Sequence, residues 1–324
     1  MRSVWVGSYG STSVLEMREM PVPEPGAAEV RIRVKVAGIN YADIMQRLGL
    51  YPNGPKAPFP AGFEVAGVVD QVGSEVTEWH VGDEVMAFCQ GGYSDYVISQ
   101  PYQIMPKPEQ LSWHQAAAVP CQYLTAYHAL LTLGQLKAGQ TVLVQAAAGG
   151  LGTLIIQIAR NVGAISIGTA STAEKCALIR ELGCPYPVQY TQADFRDVVK
   201  SVTRGQGCEL VIETVGGNVF DRSLKCLRSR GMLVTLGIAS AEVPQISAVS
   251  LLANNWIVAG MHLMGYVTDR SAMAHAMRDL HTWLLDGKLE IIARHAFPLE
   301  EAARAHDFIS GRQSVGKVVL HVAD

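Results

Sequence analysis

The feature that most constrains this chain is a glycine-rich turn that follows a short apolar strand and opens a helix. The strand is predicted at 142–144 and the turn at 145–152. Gly149 and Gly152 occupy the last two glycine positions of a dinucleotide-binding turn, with Ala147 in the first. Glycine there lets the backbone approach a pyrophosphate, and the helix start supplies free N–H groups. The pattern predicts a dinucleotide-binding site, although an ordinary glycine-rich turn could have the same sequence pattern.

The residues around this turn alternate between apolar strands and helical patterns. Because parallel strands need crossover connections, repeated strand–helix pairs predict a parallel sheet with helices on both faces. Further strands are predicted at 165–167, 209–212, 232–236 and 256–263, and helices at 151–162 and 173–182.

The two ends of the chain have a different character. Short β-prone runs at 30–36, 64–72, 82–88 and 93–98 predict a barrel-like module in the first hundred residues. A closing strand at 316–320 is expected to return to that module. We therefore predict one domain from residues 1–120 and 265–324, and a dinucleotide-binding domain from residues 121–264 inserted into it.

Charge and hydropathy exclude several classes of protein. The net charge is −3 and no block of Lys or Arg exists, so a nucleic-acid partner is not expected. No run of about 18 apolar residues is present, which argues against a membrane span. The first residues lack a signal-peptide pattern, and the six cysteines lack metal-ligand spacing. A soluble, cytoplasmic protein acting on a small molecule is expected.

The end of the second strand of the parallel sheet bears on the choice of cofactor. NAD-selective sites place an acid there to bind the ribose 2′-hydroxyl. Here Ser171 stands in that region and Lys175 follows, which suits a 2′-phosphate. Glu174, which falls within the following helix, argues against a phosphate site. Lys175 could also be a solvated helix residue without a ligand. The pattern favours NADPH over NADH.

Six blocks stand in a fixed order along the chain. They are Ala37-Gly38-Ile39-Asn40-Tyr41-Ala42-Asp43, Gly49-Leu50-Tyr51-Pro52, Pro60-Ala61-Gly62-Phe63-Glu64-Val65-Ala66-Gly67, Val81-Gly82-Asp83-Glu84-Val85, Leu124-Thr125-Ala126-Tyr127 and residues 146–152. In order and spacing they resemble the zinc-independent quinone oxidoreductase branch of the medium-chain dehydrogenase/reductase superfamily. The resemblance covers nearly the whole chain. It implies an α/β fold, with a GroES-like β-barrel catalytic domain and an inserted Rossmann domain whose parallel sheet is doubly wound.

The same resemblance bears on zinc. Zinc-dependent relatives have a cysteine where this chain has Asn40, and a histidine where it has Phe63. Neither residue is a plausible zinc ligand, and Glu64 alone cannot hold the metal. No metal site is therefore expected.

Without a metal, the resemblance implies conjugate reduction, in which NADPH gives hydride to a quinone or another α,β-unsaturated carbonyl. It places Asn40 and Thr125 near the nicotinamide, Tyr190 near the adenosine phosphate, and residues 237–238, 263–265 and 314–317 around the cofactor. The predicted cofactor-binding residues are Asn40, Thr125, Ala148, Gly149, Gly150, Leu151, Ser171, Lys175, Tyr190, Gly237, Ile238, Leu263 and Lys317.

The predicted catalytic residues are Asn40 and Tyr51. Tyr51 matches a tyrosine at the active-site mouth of quinone reductases, where a phenol could donate a proton or hydrogen-bond an enolate oxygen. The alternative is a loop aromatic that packs against substrate, with water as the proton donor. Tyr41 is a weaker candidate for the proton donor and is expected to line the pocket.

Three other functions stay open at this point. One is an enoyl-thioester reductase acting on polyketide or fatty-acyl chains, and another is an interaction protein that binds NADPH without turnover. Zinc-dependent alcohol oxidation would return only if metal analysis found stoichiometric zinc. Residues 256–261 predict an apolar edge strand, and such an edge invites pairing with a second copy. We therefore expect a homodimer.

Overall fold

The computed structural model describes residues 1–323 and divides the chain into two compact units. The first unit comprises Met1–Tyr123 and the residues from Ile291 onward, and the second comprises Leu124–Glu290. The second unit is therefore inserted into the sequence of the first.

The elements are named here in chain order. The strands are β1 (Arg2–Val6), β2 (Leu15–Glu19), β3 (Val30–Ile39), β4 (Phe59–Pro60), β5 (Glu64–Val72), β6 (Glu84–Phe88), β7 (Tyr96–Ser99), β8 (Ile104–Pro106), β9 (Thr141–Val144), β10 (Ile165–Ala170), β11 (Tyr186–Gln189), β12 (Cys208–Glu213), β13 (Leu227–Thr235), β14 (Ile257–Gly260), β15 (His295–Pro298) and β16 (Val318–His321). The α-helices are α1 (Tyr41–Arg47), α2 (Trp113–Ala116), α3 (Leu124–Tyr127), α4 (Gly150–Asn161), α5 (Ala173–Glu181), α6 (Phe195–Val202), α7 (Gly217–Leu224), α8 (Ala248–Asn254), α9 (Met264–Val267), α10 (Arg270–Leu285) and α11 (Ala302–Ser310).

The first unit is built mainly from β-sheet. A seven-stranded sheet has the order β15-β16-β3-β5-β6-β8, with β7 also paired to β3, and a small sheet has the order β2-β1-β4. The β-prone run predicted at 30–36 lies within β3, where Val30, Ile32 and Val34 are fully buried. Burying such a side chain contributes roughly 1.5–3 kcal/mol. The closing strand β16 pairs antiparallel with β3, so the carboxyl-terminal segment completes this unit.

The second unit is a parallel sheet with the strand order β11-β10-β9-β12-β13-β14. Every adjacent pair is parallel. The chain starts at β9 in the middle, adds β10 and β11 on one side, and then returns to add β12 to β14 on the other. This confirms the predicted doubly wound sheet. In such sheets ligands bind beyond the carboxyl ends of the strands, where the strand order reverses.

The predicted domain boundary at residue 265 differs from the structural division at Ile291. The intervening residues belong to the second unit because they are tied to its helices. The Tyr127 hydroxyl donates to Asp279 Oδ2 at 2.7 Å on α10. The Gln157 side chain donates to the Glu290 carbonyl at 2.9 Å and accepts from the Glu290 N–H at 2.7 Å.

The last strand of the parallel sheet is shorter than predicted. Residues 256–263 were expected to be extended, but β14 covers only Ile257–Gly260. The Met261 N–H still donates to the Thr235 carbonyl at 3.1 Å, where β13 ends, and the chain then turns into α9. No helix within residues 1–323 is long and apolar enough to cross a membrane.

Candidate active site

The glycine-rich turn lies at the carboxyl end of β9, the strand from which the parallel sheet grows in both directions. Gly149 directly precedes α4, and its N–H donates to the Ala146 carbonyl at 3.0 Å. Ala146 has a φ of 52°, a left-handed conformation that costs energy for a residue with a side chain. The first N–H groups of the twelve-residue α4 lack partners within the helix. Such a helix start suits an anionic pyrophosphate.

Gly152 packs the start of α4 against the end of the strand. A Cβ at this position would lie 2.5 Å from the Cα of Ala147 and 2.5 Å from the carbonyl oxygen of Ala146. A Cβ at Gly149 would meet its nearest atom, the same oxygen, at 3.4 Å, which is an ordinary contact. Gly152 is therefore required by the protein's own packing, and Gly149 leaves room for a ligand.

A buried network of hydrogen bonds between polar side chains holds the backbone of the turn. Thr169 Oγ1 donates to Gln145 Oε1 at 2.7 Å, and Gln145 Nε2 donates to Ser223 Oγ at 2.9 Å. The Ala146 N–H donates to Thr169 Oγ1 at 3.2 Å, and the Ala147 N–H donates to the Thr169 carbonyl at 2.9 Å. These polar contacts were missed from sequence. Their only signal was polar residues where strands are expected to be apolar.

The other predicted cofactor residues of this unit follow the carboxyl ends of neighbouring strands. They therefore lie along one edge of the sheet, except Thr125, which is on α3. After β9 come Ala148, Gly149, Gly150 and Leu151; after β10, Ser171 and Lys175; after β11, Tyr190; after β13, Gly237 and Ile238; and after β14, Leu263.

The end of β10 carries the residues expected to choose between the two nicotinamide cofactors. Thr172 caps α5 and accepts from the Lys175 N–H at 3.3 Å, so Lys175 lies in the first helical turn. The Lys175 side chain is half-buried, and burial lowers its pKa. Glu174 lies in the same turn and is exposed. A phosphate at this helix start would meet both N–H groups and a cation.

Glu213 is a buried acid at the carboxyl end of β12 that sequence reasoning missed. It is 0% exposed, and its Oε1 accepts from the Val215 N–H at 2.8 Å, while Gly216 also donates to the carboxylate. Burial raises its pKa, and these N–H groups oppose the rise. The acid thus holds the turn after β12, beside the point where the strand order reverses. Its sequence signal was an acid directly after the apolar run Leu210-Val211-Ile212.

In the first unit, Asn40 lies in a buried charged cluster with Glu64 and Lys317. The register of β16 against β3 pairs Val318 with Ile39, so Lys317 falls opposite Asn40 just beyond the strand ends. Lys317 Nζ donates to Asn40 Oδ1 at 2.8 Å and also binds Glu64 Oε1. Asn40 Nδ2 donates to Glu64 Oε1 at 2.6 Å.

This placement changes the interpretation of Lys317. It was expected to bind the cofactor, but its side chain is 1% exposed and its ammonium is held by two protein groups. The physical reason is Glu64, which is 0% exposed and requires a cation in the protein interior. A contact between this ammonium and cofactor would have to compete with Glu64 and Asn40.

Tyr51 is half-buried, and its ring centre lies 6.0 Å from that of Phe63. Burial raises the pKa of Tyr51 to about 12, with contributions from Cys121 and Asp43. The phenol, which an ordinary pKa would already leave neutral at physiological pH, stays protonated over a wider pH range and can donate a hydrogen bond. The structure brings Asn40 and Lys317 together, and Tyr51 belongs to the same unit.

Asp43 is a second buried acid next to Asn40 that was missed as a functional candidate. Its Oδ2 accepts from the Asn40 N–H at 2.7 Å, which fixes the start of α1. It is 3% exposed, and burial raises its pKa to about 7. Sequence could not show this burial, because an acid at the third position of a helix is normally solvated.

The residues present do not fit a zinc ion. Asn40 and Phe63 stand where zinc-dependent relatives have thiolate and imidazole ligands, and both oxygens of Glu64 already accept hydrogen bonds. Glu64 Oε1 is bound by Lys317 and Asn40, and Oε2 accepts from the Cys121 N–H at 2.7 Å. No cluster of three or more His, Cys, Asp or Glu side chains suited to a metal occurs in residues 1–323.

Comparisons with known proteins agree with this architecture. Residues 26–109 match the family model described as "Alcohol dehydrogenase GroES-like domain", and residues 182–320 match "Zinc-binding dehydrogenase". A Pseudomonas aeruginosa quinone oxidoreductase is 35% identical over 98% of this chain and 99% of its own. A 2-haloacrylate reductase from a Burkholderia species is 34% identical over 93% of each chain.

A solved structure gives the same result. The Escherichia coli quinone oxidoreductase complexed with NADPH has a TM-score of 0.95 and 30% identity, covering 99% of this chain and 100% of that one. The name of the second family model mentions zinc, but the ligand positions of this chain carry Asn40 and Phe63. The chain therefore belongs to the zinc-independent quinone oxidoreductases of the medium-chain dehydrogenase/reductase superfamily.

Proposed function

We propose that the protein reduces quinones or other α,β-unsaturated carbonyls with NADPH and without a metal. The observation that carries this proposal is a glycine-rich turn before α4, of the dinucleotide-binding type, in a chain whose zinc-ligand positions hold Asn40 and Phe63. A metal ion would polarise a carbonyl as a Lewis acid, whereas a conjugated acceptor can take hydride at carbon and spread the charge onto oxygen. Relatives named quinone oxidoreductase and 2-haloacrylate reductase act on acceptors of this kind.

The cofactor is assigned to the carboxyl edge of the parallel sheet. When bound, NADPH supplies the hydride. Residues 148–151 would hold the pyrophosphate at the start of α4. Ser171 and Lys175 would bind the 2′-phosphate. Tyr190 is 41% exposed and offers an aromatic face to the adenosine, while Gly237, Ile238 and Leu263 follow the last two strands. Thr125 completes the set near the nicotinamide.

Asn40 and Tyr51 are assigned to the acceptor. The Asn40 amide can donate a hydrogen bond to an oxygen that gains negative charge as hydride arrives. The Tyr51 phenol is neutral at physiological pH, and burial raises its pKa further, so its hydroxyl can donate a hydrogen bond to the same type of oxygen. The competing role for Tyr51 is packing against the substrate, with water delivering the proton.

A screen of NADPH oxidation tests the function. The wild-type protein is offered quinones, enones and enoyl thioesters, each with and without a chelator. We expect turnover with quinones and enones that is unchanged by the chelator. Turnover confined to enoyl thioesters would favour the acyl-chain alternative, and NADPH binding without turnover would favour an interaction protein. Loss of activity on chelation would contradict the metal-free mechanism.

We further propose a homodimer formed through the edge strand β14. Within residues 1–323, β14 pairs with β13 and no other strand. Nearby apolar side chains face solvent, with Val249 74%, Leu252 79% and Ile257 45% exposed. An exposed apolar strand edge favours pairing with a second copy. Met264, at the start of α9, is 38% exposed and could join this contact.

A cytoplasmic location is also proposed. All six cysteines are free thiols, and four of them are buried. Free thiols are usual in a reducing compartment, where NADPH is also at hand. Cell fractionation followed by immunodetection tests this assignment, and recovery in an oxidising compartment would contradict it.

A further inference from the structure

The carboxamide of Asn40 is held from both sides by opposite charges. Its Oδ1 accepts from the Lys317 ammonium at 2.8 Å, and its Nδ2 donates to Glu64 Oε1 at 2.6 Å. We propose that Lys317 and Glu64 are positioning residues, which orient Asn40 and strengthen its remaining N–H as a donor to the acceptor's oxygen. This inference rests on the proposed function, because it assigns that N–H to the oxygen of a conjugated carbonyl.

The charges select one of the two orientations of the amide. If the carboxamide turned over, its oxygen would face the Glu64 carboxylate and its NH₂ group would face the Lys317 ammonium. Both contacts would then be repulsive, in an interior where charge interactions are little screened. The orientation with two favourable contacts is therefore strongly preferred. It leaves one of the two hydrogens of Nδ2 for a further acceptor.

The ammonium also changes the chemistry of the amide. A cation on Oδ1 draws electrons from nitrogen to oxygen, so the remaining N–H becomes a better donor. Such a donor gains most when the oxygen it faces becomes more negative, as the oxygen of a conjugated carbonyl does during hydride addition. Lys317 can thus favour the transition state over bound substrate without touching either.

Neighbouring backbone keeps the three side chains in place. A Cβ at Gly38 would lie 2.6 Å from Glu64 Oε1 and 2.7 Å from Lys317 Cε, so the strand approaches the ion pair closely. Glu64 Oε2 accepts from the Cys121 N–H at 2.7 Å, which fixes the second oxygen of the carboxylate. Little room exists for either charged group to move away from Asn40.

The test uses kcat, KM and NADPH affinity of paired variants. Lys317→Met alone leaves a buried carboxylate without its cation and is expected to destabilise the fold. The double variant Lys317→Met/Glu64→Gln removes both charges and should fold. We expect its kcat with a quinone to fall roughly ten- to hundredfold. Its NADPH affinity, measured by fluorescence without turnover, should change less than about threefold, because the turn at α4 is untouched.

Two controls separate positioning from a general effect on the fold. The ion pair of Lys107 and Glu84, with 2.9 Å between Nζ and Oε2, lies in the same unit. Lys107→Met/Glu84→Gln should leave kcat within about twofold. In an Asn40→Ala background, Lys317→Met/Glu64→Gln should cost less than about twofold, since its effect passes through Asn40.

A readout independent of turnover is the side-chain amide resonance of Asn40 in solution. We expect this resonance to move upfield in the double variant, because a charge-assisted contact is lost. Equal losses of kcat in the wild-type and Asn40→Ala backgrounds, or an unmoved resonance, would overturn the proposal. The proposed function fails separately, if the wild-type protein oxidises NADPH with none of the acceptors.

Discussion

Two glycines of the same turn should respond to alanine in different ways. A Cβ at Gly152 would lie 2.5 Å from Ala147 Cα and from the Ala146 carbonyl oxygen. That is roughly 1 Å closer than the 3.5–4.0 Å at which carbon atoms attract. Both opposing atoms belong to the backbone, so no side chain can rotate away. A Cβ at Gly149 would meet ordinary contact at 3.4 Å, with a φ of −75° that alanine accepts.

The cost of Gly152→Ala follows from this overlap. Forcing extra carbon into a packed site costs about 1–3 kcal/mol, and alanine returns up to about 1 kcal/mol through its helix propensity. We expect a net loss of about 1–2 kcal/mol, which corresponds to a fall in Tm of roughly 2–8 °C. NADPH affinity should fall too, because the turn must shift. Gly149→Ala should lose less than about 1 kcal/mol, the usual cost at a helix start.

The assay is a thermal melt and an NADPH titration on both variants. Gly149→Ala should bind NADPH at least tenfold more weakly while keeping most of its stability, because its Cβ meets the ligand and not the protein. If Gly149→Ala binds NADPH like the wild type, the pyrophosphate does not approach this residue. If Gly152→Ala melts like the wild type, the packing argument for the third glycine is wrong.

The remaining predictions concern specificity, pH and assembly. Lys175→Ala should weaken NADPH binding roughly ten- to hundredfold and NADH binding less than about threefold, since only NADPH carries the 2′-phosphate. Equal increases in the KM values for the two cofactors would contradict this role. Burial raises the pKa of Asp43 from 3.8 to about 7, so the folded protein keeps a proton that the unfolded chain releases. That contribution to stability is complete below pH 3.8 and is lost as pH rises through 7, so Asp43→Asn should remove a downward slope of unfolding free energy across this window. An unchanged slope in urea unfolding would refute it. Leu252 is 79% exposed near β14, and Leu252→Glu should give a monomer mass in light scattering. As a control, Leu285→Glu on α10, where Leu285 is 61% exposed, should leave the dimer mass unchanged. A wild-type monomer at micromolar concentration would refute the dimer.

The parallel sheet was predictable because its signals are local. A strand, a glycine turn and a helix stand next to each other at residues 141–161, and the same alternation repeats along the chain. Capping confirms the local nature of these signals. Gly149 and Thr172 each precede a helix that begins close to where the sequence predicted it. The β-prone runs also located β3 and β5 within a few residues.

The domain boundary and the charged cluster were not predictable for the opposite reason. Nothing in the sequence of α10 says which unit it belongs to, because the contact that ties Asp279 to Tyr127 joins residues 152 apart. Lys317 and Glu64 are 253 residues apart in sequence, and no motif links them. Only the register of β16 and β5 on either side of β3 brings them to Asn40. Long-range pairing of this kind requires the folded sheet.

The cluster also explains how the buried acid Glu64 is tolerated without a metal. A buried carboxylate needs a positive partner, and in a metal site the ion provides it. Here Lys317 provides that charge from within the chain, while Asn40 and the Cys121 N–H satisfy the other lone pairs of Glu64. The cation cannot polarise a substrate carbonyl directly, because its side chain is 1% exposed. It can act only through the amide that it binds. A site of this kind offers hydrogen bonds and no Lewis acid, and so it suits acceptors that take hydride at carbon.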